Sequence, residues 1–178
     1  LLEVVTAEKD TFLAFDRTPF YGEMGGQTGD TGTVELGGTT LAVTDCVKDK
    51  AGRHLHKVDG AALAALSPRP GTAAHLAVDP ERRRAINRHH SAAHLIHWAL
   101  RKVLGTHVRQ AGTSKTADRM RFDFSHFEAM TPAQVHEVEA LVNGKVIDNA
   151  KVESYETDFD KKPDGTLAFF GEKYGKVV

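Results

Sequence analysis

The chain has 178 residues, 40% of them hydrophobic, a single cysteine and a formal net charge of -1. That length buries a real core in one compact domain or two small ones, the lone Cys46 excludes an internal disulfide and fits a reducing cytosol, and the near-neutral balance gives no global pull on a polyanion. No apolar run is long enough to span a bilayer, and the opening Leu1-Leu2-Glu3-Val4-Val5 is interrupted by an acid, so neither a membrane segment nor a signal peptide is expected.

The first 78 residues read as all-β. Short β-prone runs at 12–15, 32–36, 40–45, 54–58 and 72–78 are separated by turn residues such as Gly37-Gly38, a spacing that predicts a small β-barrel. Residues 61–66 form a helical turn or two before the breaker Ser67-Pro68-Arg69-Pro70-Gly71. At Asp79 the pattern changes. Asp79-Pro80-Glu81 is an N-cap, a proline at the first helical position and an acid at the positive end of the dipole. Ile86, Ala93, Ile96, Leu100, Val103 and Leu104 then give an apolar stripe of helical period that stops at Gly105. A strand is expected over 120–124. A second helix opens on the capping box Thr131-Pro132-Ala133-Gln134 and buries Val135, Val138, Leu141, Val142 and Val146. A last strand at 151–157 and a turn at Pro163-Asp164-Gly165 lead to Leu167-Ala168-Phe169-Phe170. The fold class is therefore α+β, with a glycine-rich β-barrel subdomain over 1–78 and an α+β subdomain over 79–178.

Two stretches carry chemistry. In Arg88-His89-His90-Ser91-Ala92-Ala93-His94-Leu95-Ile96-His97, His90 and His94 lie four residues apart, so on a helix both rings reach one ion. Zinc wants four ligands in a closed site and three plus water in an open one, so this pair is half a site. The competing reading makes one or two of these histidines hydrogen-bonded residues at the edge of a core. A zinc protease is disfavoured, since Ser91 stands where the general-base Glu would follow the first His; His97 reads as structural. In Gly25-Gly26-Gln27 the glycines permit positive φ and close approach to a ligand, and the Gln27 amide can hold a water or a carbonyl; otherwise this is a hairpin turn with a solvated glutamine. Asp123 and Ser125 alternate with Phe122 and Phe124, as a pocket edge or as an ordinary amphipathic strand. Arg121 is a candidate phosphate contact. Arg82, Arg83, Arg84 and Arg88 before the histidines, and Arg101, Lys102 and Arg109 after them, are solvated helix charges or weak phosphate contacts.

The run Phe15-Asp16-Arg17-Thr18-Pro19-Phe20-Tyr21-Gly22-Glu23-Met24-Gly25-Gly26-Gln27-Thr28-Gly29-Asp30-Thr31-Gly32 resembles the glycine-rich signature of the alanyl-tRNA synthetase editing domain and its free-standing relatives. Residues 87–100 resemble the family's first zinc-ligand helix, and Val103-Leu104-Gly105-Thr106-His107-Val108 its end. Arg119-Met120-Arg121-Phe122-Asp123-Phe124-Ser125-His126 resembles the strand that follows, and Phe169-Phe170-Gly171-Glu172-Lys173-Tyr174-Gly175 the last block before a second zinc pair.

The resemblance implies hydrolysis of the ester of Ser-tRNA(Ala) or Gly-tRNA(Ala) in the cytoplasm. It implies His90 and His94 as zinc ligands, and Gln27 and Thr18 as catalytic residues, Thr18 at a position linked to choosing serine over alanine. Gly25, Gly26, Arg121 and Asp123 would meet the substrate or the tRNA(Ala) acceptor end. A longer parent would attach alanine to tRNA(Ala), its ATP and magnesium held in an aminoacylation domain that 178 residues cannot contain. Two departures stand out. The family's Cys-x3-His half-site lies beyond Val178, and Cys46 matches no ligand position, so the zinc site is expected to be incomplete in this chain. Ser91 and Ala93 stand where relatives often have threonines, and His89 where they have a small residue. A free-standing trans-editing protein of the family, or a non-catalytic RNA- or partner-binding module with this fold, are the alternatives; nothing in the sequence fixes the oligomeric state.

Overall fold

The computed structural model describes residues 1–151, 153, 156–158, 161 and 163. The chain divides into two compact units, Leu1–Asn143 and Gly144–Val178. The expected strand at 151–157 falls only partly on described residues, and the turn at 163–165 and the block at 169–175 lie almost wholly outside them.

In the first unit, β1 (Glu3–Ala7) and β2 (Asp10–Ala14) form a hairpin. Next come β3 (Gly32–Leu36), β4 (Thr39–Val43), β5 (Asp45–Lys48), β6 (His54–Val58), helix α1 (Gly60–Leu66) and β7 (Ala74–Val78). All pairings are antiparallel. One sheet has the order β1-β2-β6-β5 and the other β4-β3-β7. Gly37 and Gly38, both at positive φ, make the tight β3–β4 turn whose twist suits a hairpin. Strand alternation then sends Val34, Leu36, Leu41 and Val43 inward, where they meet Leu13, Phe20, Cys46 and Val58.

The closed barrel expected for this segment does not form: the strands make two open sheets. They are linked at Thr44, where the chain passes from β4 to β5 and the Thr44 N–H donates to Lys57 O at 3.0 Å. The outer strands β1 and β7 stay unpaired with each other. A cleft of about 950 Å³, lined by Leu1, Phe15, Thr18, Pro19, Pro70 and His75 among others, lies between the segments next to them. At one end the segments are tied together, the Leu1 ammonium donating to Thr72 O at 2.7 Å and the Gly71 N–H to Leu1 O at 2.9 Å.

Helix α2 (Pro80–Leu104) starts as its sequence demands. Asp79 Oδ1 accepts from the N–H groups of Glu81 and Arg82, each at 3.0 Å, and the Asp79 N–H donates to Thr31 O at 2.8 Å, tying the helix start to the β-rich segment. Gly105, at φ 116°, ends it. A hairpin of β8 (Gln110–Lys115) and β9 (Met120–Phe124) packs on α2, followed by α3 (Pro132–Asp148). The second core joins Ala99, Leu100, Val108 and Val138 with Ile96, Phe122, Phe124, Leu141 and Val142. The capping box is reciprocal: the Thr131 N–H donates to Gln134 Oε1 at 2.8 Å, and the Gln134 N–H to Thr131 Oγ1 at 3.3 Å. The buried stripe of α3 is shorter than its valines suggest. Val135 is 41% and Val146 60% exposed, so burial centres on Val138, Leu141 and Val142. No helix among the described residues is long and apolar enough to cross a membrane.

Candidate functional site

Met24 and Gln27 exchange backbone hydrogen bonds of 3.2 and 3.0 Å, making a tight turn with Gly25 (φ 61°) and Gly26 (φ 72°) at its centre. Gly26 has a second reason to be glycine: a Cβ there would overlap the carbonyl oxygen of Thr113 on β8. The turn delivers Gln27, only 5% exposed, to the middle of α2. There Gln27 Oε1 lies 2.7 Å from His90 Nδ1.

An amide oxygen only accepts, so His90 Nδ1 carries the proton and donates it. In the neutral ring Nε2 then keeps its lone pair, the state required of a metal ligand or a base. Burial, the Lys115 charge and then His94 hold the His90 pKa below the usual histidine value, which favours that neutral form. His94 is exposed, its ring stacked on His90 at 5.3 Å between centroids and 29° between planes. The two imidazoles fit half of a zinc site by position and donor chemistry. Among the described residues, no group of three or more His, Cys, Asp or Glu side chains gathers in metal-binding geometry.

Two of the arginines at the start of α2, Arg82 and Arg83, are structural clamps rather than solvated charges. Arg82 Nη1 donates to Gly29 O at 2.6 Å. Arg83 Nε donates to Asp30 Oδ1 at 2.9 Å, its Nη2 pairs with Asp30 Oδ2 and also donates to Pro19 O at 2.9 Å, and Asp30 is buried. The Tyr21 N–H adds a 2.6 Å bond to the same carboxylate. The glycine-rich loop is thus pinned to α2 at Asp30, and the register of one helix places His90 beneath Gln27. Arg84 and Arg88 stay exposed, while Arg101 closes the far end of α2 through Thr106 O at 2.6 Å and Val108 O at 3.0 Å.

The other expected site residues lie in different surroundings. Thr18 Oγ1 is 2.7 Å from Nε2 of the fully buried His56, whose Nδ1 is 2.9 Å from Leu13 O. The carbonyl can only accept, so Nδ1 bears the proton, and in the neutral ring Nε2 accepts from the Thr18 hydroxyl. Thr18 in turn accepts from the Phe20 N–H at 3.1 Å, which leaves one lone pair. Arg121 and Asp123 pair with each other at 3.1 Å on one face of β9. Their cross-strand neighbours are Ser114 and Gly112, whereas Lys115 and Thr113 oppose Met120 and Phe122 on the other face. Ser125 Oγ accepts from the Arg109 N–H at 3.3 Å. His97 is buried against Phe122, 5.4 Å between ring centroids, in keeping with a structural part. Burial, then Asp30 and Asp45, push the Cys46 thiol up to about 12, so this cysteine is an inert core residue.

Sequence reasoning missed Lys115. It is 6% exposed, its Nζ donates to Gly25 O at 3.0 Å, and burial lowers its pKa. Recognising β8 would have found it, because alternation puts Lys115 on the Phe122 face. The run Gln110-Ala111-Gly112-Thr113-Ser114-Lys115 has too few β-branched or apolar residues to signal a strand.

Residues 1–82 match the family described as tRNA synthetases class II (A). More particularly, the chain matches a section of alanine–tRNA ligase, a class II aminoacyl-tRNA synthetase. It is 66% identical over 181 residues to the alanine–tRNA ligase of Opitutus terrae, covering all of this chain and 19% of that protein. Identity to the alanine–tRNA ligase of Acetivibrio thermocellus is 46% over 93% of this chain and 19% of the relative. With that of Streptococcus mutans it is 45% over 97% and 20%. The chain therefore spans about a fifth of the length of the curated relatives it matches.

Proposed function

We propose that this chain is the editing section of an alanine–tRNA ligase, hydrolysing Ser-tRNA(Ala) or Gly-tRNA(Ala) in the cytoplasm while the rest of the ligase attaches alanine to tRNA(Ala) with ATP and magnesium. The observation that carries the reading is the 2.7 Å contact of Gln27 with His90, which joins the glycine-rich turn and the histidine helix in one place. The alanine–tRNA ligase relatives support the parent, and the resemblance of both stretches to the editing family supports the activity.

The ester is already reactive, so hydrolysis asks the protein to position it, place a water and favour charge developing on the carbonyl oxygen. Zinc, held by His90 and His94 with ligands from elsewhere, would supply Lewis-acid polarisation. Gln27 fixes the His90 ring so that Nε2 presents its lone pair. Gly25 and Gly26 let the backbone lie close to the substrate. Thr18, its proton committed to His56, offers an acceptor to a serine hydroxyl, and a site that hydrogen-bonds a hydroxyl rejects the methyl analogue far more strongly than a hydrophobic pocket can. Arg121 and Asp123 sit on the outward face of the β8–β9 hairpin, where a tRNA backbone has access.

The test compares Ser-tRNA(Ala) deacylation by this chain with that by a version extended through the family's Cys-x3-His pair, both with metal content determined. Activity with one zinc only in the extended protein is the expected result. Inactivity of both, with both folded, would overturn the reading in favour of a non-catalytic binding module.

A further inference from the structure

Lysine is among the residues least often fully buried, and a buried ammonium is normally paired. Lys115 is 6% exposed, and among the described residues no carboxylate lies within ion-pair distance of its Nζ. Its one hydrogen-bond acceptor there is Gly25 O, at 3.0 Å, on the first glycine of the turn that aims Gln27. The backbone of Lys115 is attached to the same turn. Its N–H donates to Gly26 O at 2.7 Å, and its carbonyl accepts from the Thr28 N–H at 3.1 Å. The main chain thus holds Gly26 and Thr28, on either side of Gln27, while the side chain alone reaches back to Gly25. A neutral, apolar side chain at this position would leave the two main-chain bonds in place and free the Gly25 carbonyl.

We propose that Lys115 is a positioning residue of the Gln27–His90 site: its buried ammonium locks the Gly25 carbonyl, and with it the angle at which Gln27 presents its amide oxygen to His90 Nδ1. Lys115 acts through the turn and touches no reacting atom. The consequence for chemistry is that His90 Nε2, and not Nδ1, keeps the lone pair. That consequence rests on the reading of His90 as a functional residue, but the geometric claim does not.

The test is made on the 178-residue chain, with ¹⁵N-labelled histidines, at a pH where the imidazoles are neutral. Long-range ¹H–¹⁵N spectra report which nitrogen of His90 carries the proton. The native protein is expected to show one tautomer, protonated at Nδ1. In Lys115→Met the ratio of that tautomer to the other should fall about tenfold, the effect of one lost hydrogen bond, while the His56 signals stay unchanged as a control for folding. Lys115→Arg, which keeps the charge and donors, should retain most of the native ratio. An unchanged His90 tautomer in folded Lys115→Met overturns the proposal. Should that variant not fold, the native protein decides: a slowly exchanging Lys115 ammonium with a cross-hydrogen-bond coupling to the Gly25 carbonyl carbon is expected, and its absence overturns the proposal. A tautomer change in Lys115→Met together with no deacylation by the extended protein would sink the editing reading and leave this inference standing.

Discussion

Gln27 Oε1 accepts from His90 Nδ1 across 63 residues of sequence, so a turn in the β-rich half decides which nitrogen of a helical imidazole keeps its lone pair. Neither residue is informative alone. A glutamine beside two glycines is a common turn, and His-x3-His is a short pattern; their contact gives an imidazole of defined tautomer, and a hydrogen bond to the far ring nitrogen is the kind of contact that raises the basicity of the other.

Zinc binding by this chain should be weak, with a Kd above about 1 μM. Two imidazoles leave at least two positions to water, so most of the roughly 10 to 16 kcal/mol of a complete structural site is absent. Calorimetric titration checks this, and submicromolar affinity in the monomer contradicts it. In the protein extended through the Cys-x3-His pair, Gln27→Ala should weaken zinc binding about 10- to 100-fold by freeing the His90 ring.

Gly26→Ala and Gly25→Ala should differ. Both place a side chain at positive φ, worth about 1–2 kcal/mol, but only at Gly26 does the new Cβ collide with the Thr113 carbonyl, while nothing lies within 4 Å at Gly25. Urea unfolding should show Gly26→Ala as the more destabilised by at least about 1 kcal/mol. Equal losses would mean that the turn relaxes freely.

Arg83→Met should cost about 3 kcal/mol, because it strands the buried Asp30 carboxylate with only the Tyr21 N–H. Arg84→Met, on an exposed arginine next to it, should lie within about 0.5 kcal/mol of the native protein. The comparison by chemical denaturation tests whether the α2 arginines are clamps; similar small effects at both would refute it.

Burial, opposed by the Leu13 carbonyl, holds the His56 pKa below its unfolded value of about 6.5. Below that pH the unfolded chain binds a proton that the folded chain resists. Stability from this group is therefore full above about pH 6.5 and is lost as pH falls toward the lowered folded value, by up to about 1.4 kcal/mol per pH unit. His54, His90 and His97 are lowered too and act in the same direction. His56→Gln should be less stable than the native protein near neutrality, and the gap should narrow on acidification. A gap independent of pH would show that His56 does not titrate in this window.

Local signals were legible in the sequence. Asp79-Pro80 and Gly105 mark the ends of α2, the Thr131–Gln134 box starts α3, and Gly37-Gly38 turns β3 into β4, because each depends on residues within one turn of chain. What stayed hidden is set by partners far away. Arg82 and Arg83 read as a solvated basic cluster because their acceptors on the glycine-rich loop lie 53 and more residues upstream. Thr18 gives no hint of His56, 38 residues on. The strands β3, β4 and β7 were visible through alternation, but whether two sheets close depends on how their edge strands are placed, which involves partners far apart in the chain.

The most direct test of the central claim uses a full-length alanine–tRNA ligase that contains this chain, comparing the native protein with His90→Ala for Ser-tRNA(Ala) deacylation and for alanylation of tRNA(Ala). The account predicts loss of deacylation by at least about 100-fold, equivalent to about 2.7 kcal/mol of transition-state stabilisation, with alanylation within about twofold of native. Equal loss of both activities would make His90 a residue that only holds the fold, and unchanged deacylation would remove the histidine helix from the chemistry.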